Sequence, residues 1–253
     1  IRLKASSLRF NMGCRFEYYL LTKDENSLVE MKELMRQWEH AYIEYALDFA
    51  GAGLYEEAIL FLQSYVAGAG KVYPMIHYAL GYFYACQGDN NKALDCYRKA
   101  EQADHSYCFP NRIEEVVILQ NALALNSQGA KAAYSLGNFW YAARQYENAI
   151  SCWETSVAIA PDFPTVWRNL SLAYYNKQND KAKALDALEK AFQLDEHDSR
   201  ILMELDQLYK RLGYSHEQRL AFLEAHLPET EERDDLSIER ITLYNQLGRY
   251  AEA

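Results

Sequence analysis

The sequence predicts an all-α fold, a right-handed superhelical solenoid of helix hairpins with one extra helix near residues 112–125. Three observations predict it. A pattern of small and large residues returns after 34 positions, and turn-forming residues recur just before the second helix of each copy. The chain also carries only 11 Gly and 5 Pro among 253 residues, too few for the many turns an all-β fold requires.

The 34-residue offset is plainest when residues 130–163 are laid over residues 164–198. Leu136-Gly137, Trp140, Ala149, Trp153 and Pro161 return as Leu170-Ser171, Tyr174, Ala184, Leu188 and Glu196, the second copy holding one extra residue in its Gln178-Asn179-Asp180 turn. Another copy opens at Pro74, with Leu80-Gly81, Tyr84, Ala93, Tyr97, Ala100 and His105. Residues 39–70 supply Tyr45-Ala46, Phe49, Ala58 and Leu62, and residues 199 onward supply Leu205-Asp206, Tyr209, Phe222 and Ala225. Small side chains at Gly81, Ala93, Gly137 and Ala149 allow two helices of a pair to cross closely. Tyr84, Trp140, Tyr174 and Tyr209 supply the bulk that fills the space between pairs.

The boundaries follow from this alignment. Residues 1–38 read as two irregular N-terminal helices joined by Thr22-Lys23-Asp24-Glu25-Asn26, and residues 39–105 as two repeats. Residues 106–129 hold one inserted helix, because the copies beginning at Pro74 and Ala130 stand 56 positions apart where two pairs need 68. Residues 130–253 carry further repeats, the last cut short, and the solenoid is expected to continue in a longer parent polypeptide.

The spacing resembles the tetratricopeptide repeat, a pair of antiparallel helices with small residues at its eighth and twentieth positions. Gly81 with Ala93, and Gly137 with Ala149, carry the resemblance most fully. A second resemblance covers nearly the whole chain. Residues 108–116, 136–154, 163–177, 205–213 and 233–253 look like the C-terminal repeat region of a family of large, mostly bacterial proteins. That family has an uncharacterised N-terminal domain similar to mutarotase-like β-sandwiches. The resemblance implies a glycan-metabolism context and transfers no catalytic residue to this chain.

Composition narrows the function classes. With 26 basic against 36 acidic side chains the formal charge is −10, which opposes binding to nucleic acid or anionic lipid. No apolar run approaches the roughly 20 residues of a membrane span, and no export signal is visible in the first 30 residues. Five cysteines with no Cys-x-x-Cys pair favour a reducing compartment, so a cytoplasmic location is expected over a secreted one. Gly68-Ala69-Gly70-Lys71 lacks the preceding Gly and following hydroxyl of a phosphate loop, with Tyr65 and Val72 in those places, and reads as an inter-repeat turn. Asp195-Glu196-His197-Asp198 reads as a loop that caps the next helix rather than a metal site. Cys96 and Cys152 occupy the same repeat position, which packing explains without a nucleophile. No enzymatic activity, cofactor or metal is expected within the chain.

The expected function is protein interaction through the groove that the first helices of such repeats line. Its candidate binding residues are Tyr78, Tyr82, Lys131, Tyr134, Asn138, Tyr141, Arg168, Asn169, Tyr175, Arg200, Lys210 and Arg211, in which an acidic chain gathers five cations on one face. The partner is expected to be a protein or peptide, or the parent chain's own N-terminal domain. Repeat proteins that clamp a chaperone's terminal carboxylate are matched at Asn138, Asn169 and Arg200 but not at Tyr134 and Glu204, which stand where that pattern has Lys and Arg. An accessory role in a carbohydrate-active protein, through packing on the N-terminal domain or tyrosine stacking on glycan, is the alternative.

Overall fold

A computed structural model describes residues 11–253, and these form helices joined by short turns. The chain divides into two compact units, one ending at Phe139 and the other beginning at Trp140.

The first unit contains α1 (Met12–Thr22), α2 (Glu25–Met35), α3 (Glu39–Gly51), α4 (Tyr55–Val66), α5 (Pro74–Cys86), α6 (Asn90–Gln102), α7 (Ile113–Leu125) and most of α8 (Ala130–Ala142). Within it α1 packs on α2, α3 on α4 and α5 on α6, while the unpaired α7 packs on α5 and α6. The first ten residues of the segment 1–38 lie outside the described residues. The second unit contains α9 (Tyr146–Ile159), α10 (Pro164–Ala173), α11 (Lys181–Leu194), α12 (Ser199–Leu212), α13 (His216–Ala225), α14 (Leu227–Glu231) and α15 (Asp234–Gln246). There α10 pairs with α11, α12 packs on α11 and α13, and α15 packs on α13.

Local chemistry sets the boundaries. Pro74 and Pro164 open α5 and α10 with a fixed φ, where a missing N–H costs nothing. Asp89, Asp180 and Asp198 cap α6, α11 and α12 by accepting from Lys92 N at 3.1 Å, Lys183 N at 3.0 Å and Arg200 N at 2.8 Å. Ser215 and Gln218 form a capping box on α13. The turn inside each pair passes through the left-handed region: Gly88 and Gly213 take φ 82° and 83°, while Arg144 and Asn179 hold the same place at 61° and 54°.

The small residues lie where the repeat alignment puts them. Ala93 and Ala149 are fully buried, and a Cβ built on Gly81 would stand 2.3 Å from the Tyr97 ring. The extra residue of the Gln178-Asn179-Asp180 turn is absorbed as a π-helical turn at Tyr174–Gln178, which widens the helix and ends at the left-handed Asn179.

One feature departs from the sequence reading. The short helix α14 was not anticipated; it is anchored by Thr230, whose Oγ1 donates to Leu223 O at 3.1 Å in a buried site. Residues 247–253 form turns.

Repeats in the second unit are also stitched by a polar bond. Tyr174, Tyr209 and Tyr244 donate their hydroxyls to Glu154 at 2.8 Å, Glu189 at 3.0 Å and Glu224 at 2.6 Å. Each partner lies 20 residues back, and donors and acceptors alike advance in steps of 35. In the first unit Tyr84 accepts from Gln63 Nε2 at 2.8 Å in the corresponding place. Burial and the facing carboxylate push the Tyr174 and Tyr209 phenols up, so both remain donors at neutral pH.

Candidate functional site

In the second unit a cleft of about 220 Å³ opens between α10 and α12, with Leu188 of α11 at its side. Arg168, Leu172 and Tyr175 come from one wall and Met203, Glu204 and Arg211 from the other. The first helices of two successive repeats lie side by side, and residues a turn apart on each therefore face one space. Arg168 forms a two-pronged pair with Glu204, Nε lying 2.6 Å from Oε2 and Nη2 bonding Oε1. The Arg211 guanidinium lies 5.6 Å from the centre of the Tyr175 ring, a cation–π distance. Leu172 is 48% exposed, leaving an apolar floor open to a ligand.

Sequence reasoning placed Arg168, Tyr175 and Arg211 on one face, and the structure brings these three together around the cleft. Lys210 turns to Glu239, with Nζ 2.7 Å from Oε1. Arg200 is exposed at the start of α12, and Asn169 is half-buried and already engaged within the chain. Tyr141 is half-buried, its ring 5.3 Å from Trp153 and 5.2 Å from Tyr146.

The candidates of the first unit are placed differently. Tyr78 is fully buried, donates to Glu101 Oε1 at 2.6 Å and meets the His105 ring edge-on at 6.1 Å, so it is a packing residue and not a groove contact. Tyr134, 8% exposed, is corrected in the same way. Lys131 donates its Nζ to Ala103 O at 2.7 Å, which engages the ammonium within the chain. Asn138 is half-buried and engaged, and Tyr82 is half-buried on α5. The expected row of five cations is therefore reduced: Arg168, Lys210 and Lys131 each have an internal acceptor.

Sequence reasoning missed two charged clusters. Glu101 of α6 caps α8 from outside, accepting from Lys131 N at 2.8 Å and Ala132 N at 2.9 Å as well as from Tyr78. In the second unit Arg219 is 2% exposed and doubly bonded to the fully buried Asp206, at 3.0 and 2.6 Å, with Glu239 at 2.7 Å completing the group. The only sequence signal for the second is an Arg and an Asp at positions where apolar residues pack.

The remaining chemistry is quiet. Burial pushes the thiols of Cys96 and Cys152 up to about 11 and that of Cys108 to about 12, leaving them protonated and unreactive at neutral pH. His197 meets Glu229, Nδ1 to Oε1 at 2.6 Å, and Asp198 is spent on its cap. Among the described residues no three His, Cys, Asp or Glu side chains converge on a metal site, and no helix is long and apolar enough to cross a membrane.

Comparison with known proteins finds the repeat in two stretches of the sequence. Residues 76–106 and 165–198 match the model of the tetratricopeptide repeat. The chain contains tetratricopeptide repeats. Protein O-mannosyl-transferase TMTC1 of Homo sapiens is 31% identical over 137 residues, which is 50% of this chain and 15% of that protein. Among solved structures, MamA from Desulfovibrio magneticus RS-1 is 21% identical with a TM-score of 0.43, covering 78% of this chain and 97% of MamA. PilF of Pseudomonas aeruginosa is 19% identical with a TM-score of 0.44, covering 85% and 86% of the two chains.

Proposed function

We propose that this chain is a non-catalytic protein-interaction module that holds an acidic or carboxylate-ended polypeptide segment in the cleft between α10 and α12. The observation that carries the reading is the pairing inside that cleft. Arg168 is held in place by Glu204 and Arg211 lies over Tyr175, beside the exposed Leu172. Two guanidiniums against one carboxylate leave the cleft net positive on a chain of charge −10. A charge-assisted bond from a guanidinium to a carboxylate ligand there contributes about 1.5–3 kcal/mol when desolvated.

The test is the titration of a labelled acidic peptide with a free terminal carboxylate, followed by fluorescence anisotropy. Arg168→Glu places two carboxylates face to face and should abolish binding. Combining it with Glu204→Arg rebuilds the pair in reverse and should restore much of the affinity. Equal binding by the wild type and Arg168→Glu at unchanged helicity would end this reading. The glycan alternative has less support from geometry, because Tyr78 and Tyr134 are buried and Tyr141 packs on Trp153.

A further inference from the structure

The first unit has a second open cleft, of opposite character, on the face shared by α3, α5 and α7. It encloses about 580 Å³, and between its polar groups it exposes the apolar side chains of Leu47 of α3, Tyr82 of α5 and Val117 of α7. The inserted helix creates it. Because α7 has no paired helix of its own, Ile113 and Val117, one turn apart, remain 63% and 48% exposed. Carboxylates stand around the rim. Glu44 and Asp48 lie one turn apart on α3, and Glu114 lies on the first turn of α7; all three are exposed. The single rim cation, Arg112, is bound to Glu44 with Nη2 at 3.2 Å from Oε1 and so spans the cleft from α7 to α3. Asp48 and Glu114 make no ion pair among the described residues.

From this cleft we infer a second docking surface, for a basic polypeptide segment that carries apolar side chains between its Lys or Arg residues. Charge complementarity selects that occupant. Three carboxylates against one guanidinium leave a net rim charge of −2 around these apolar side chains, and the field of a chain of charge −10 reinforces it. A bare polycation would use the rim and waste the apolar side chains, whereas an uncharged apolar segment would leave Asp48 and Glu114 unanswered. An acidic segment, the ligand proposed for the α10–α12 cleft, is repelled here. The chain would thus hold two segments of opposite charge, one in each unit. This inference stands independently of the first reading, since its residues belong to the other unit.

The test titrates the whole chain with a labelled twelve-residue peptide alternating Lys and Leu pairs, beside a Glu-and-Leu counterpart and spermine. Asp48→Asn with Glu114→Gln should weaken the Lys-and-Leu peptide about five- to tenfold at low salt, with a shallower dependence on ionic strength. Arg112→Gln removes the one rim cation and should tighten binding severalfold, a gain that a merely damaged fold does not produce. Val117→Asp, on an exposed position, should abolish binding at unchanged helicity. Binding of the Lys-and-Leu peptide that is indifferent to all three changes would overturn the inference. So would spermine binding as tightly as the peptide, which would reduce the cleft to charge alone. Binding of the Glu-and-Leu peptide that fails on Arg168→Glu, together with no binding of the Lys-and-Leu peptide, would leave the first reading standing while this one falls.

Discussion

Replacing Gly81 with Ala tests the helix crossing at its tightest point. The new Cβ would stand 2.3 Å from Tyr97 Cε1, 2.6 Å from Cδ1 and 2.9 Å from Cζ. Carbon atoms in ordinary contact lie roughly 3.5–4.0 Å apart, so the ring must retreat by more than about 1 Å. It has nowhere easy to go. Tyr97 is fully buried, its hydroxyl donates to Asn121 Oδ1 of α7 at 2.6 Å, and the Tyr78 ring lies at 6.3 Å. Overpacking of this kind costs about 1–3 kcal/mol, and loss of the Tyr97–Asn121 bond adds about 1 kcal/mol. The better helix propensity of Ala returns about 0.5–1 kcal/mol. The net expectation is a loss of about 1–3 kcal/mol, read by urea denaturation monitored by circular dichroism. Gly51→Ala is the control, since nothing lies within 4 Å of a Cβ there, and it should be neutral or stabilising. Tyr97→Leu removes the ring, and in that background Gly81→Ala should cost nothing. A cost that persists after the ring is gone would show that the crossing is not what Gly81 serves.

Three further expectations follow from buried groups. Arg219→Met strands the fully buried Asp206 and should cost about 3–5 kcal/mol, while adding Asp206→Leu should recover most of it; equal stability of the single and double variants would refute the pairing. His105 is 7% exposed, and burial holds its imidazole down to about 4 from an ordinary 6.5. Between those values the unfolded chain binds a proton that the folded chain refuses, so stability should fall as pH drops from about 6.5 to 4, by up to about 3 kcal/mol. His105→Phe should flatten that limb of the pH–stability curve, and an unchanged slope would assign it elsewhere. Tyr209→Phe should lose about 1–3 kcal/mol with the Glu189 bond, and Glu189→Gln, which keeps an acceptor but not the charge, should lose less; equal melting of Tyr209→Phe and the wild type by calorimetry would refute the bond's contribution.

The repeat was legible because it rests on side-chain size at fixed spacing. Gly81, Ala93 and Ala149 could be assigned to helix crossings without knowing any contact, since only small residues fit there. What was not legible depends on partners far apart in sequence. Glu101 caps a helix that begins 29 residues later, and nothing at Glu101 distinguishes it from any exposed helical carboxylate. The site was read through the same periodicity, which gives the face of a helix but not what lies over it. Arg168, Tyr175 and Arg211 came out together because their two helices are regular neighbours. Tyr78 was misread because His105, in the irregular stretch after α6, meets its ring, and Glu101, in the last turn of α6, accepts from its hydroxyl.

The bond from Tyr174, Tyr209 and Tyr244 to a Glu 20 residues back has a consequence for how such a chain can change in length. Each bond joins one repeat only to the repeat before it, and the step of 35 residues leaves donor and acceptor unchanged from junction to junction. Duplicating or deleting one whole step would present every new junction with the partner it already had. Gain or loss by a partial step would instead set Tyr against residues with no acceptor to offer. Growth and shrinkage in this part of the molecule are therefore quantised, and a chain built this way can lengthen its binding surface without redesigning a single interface.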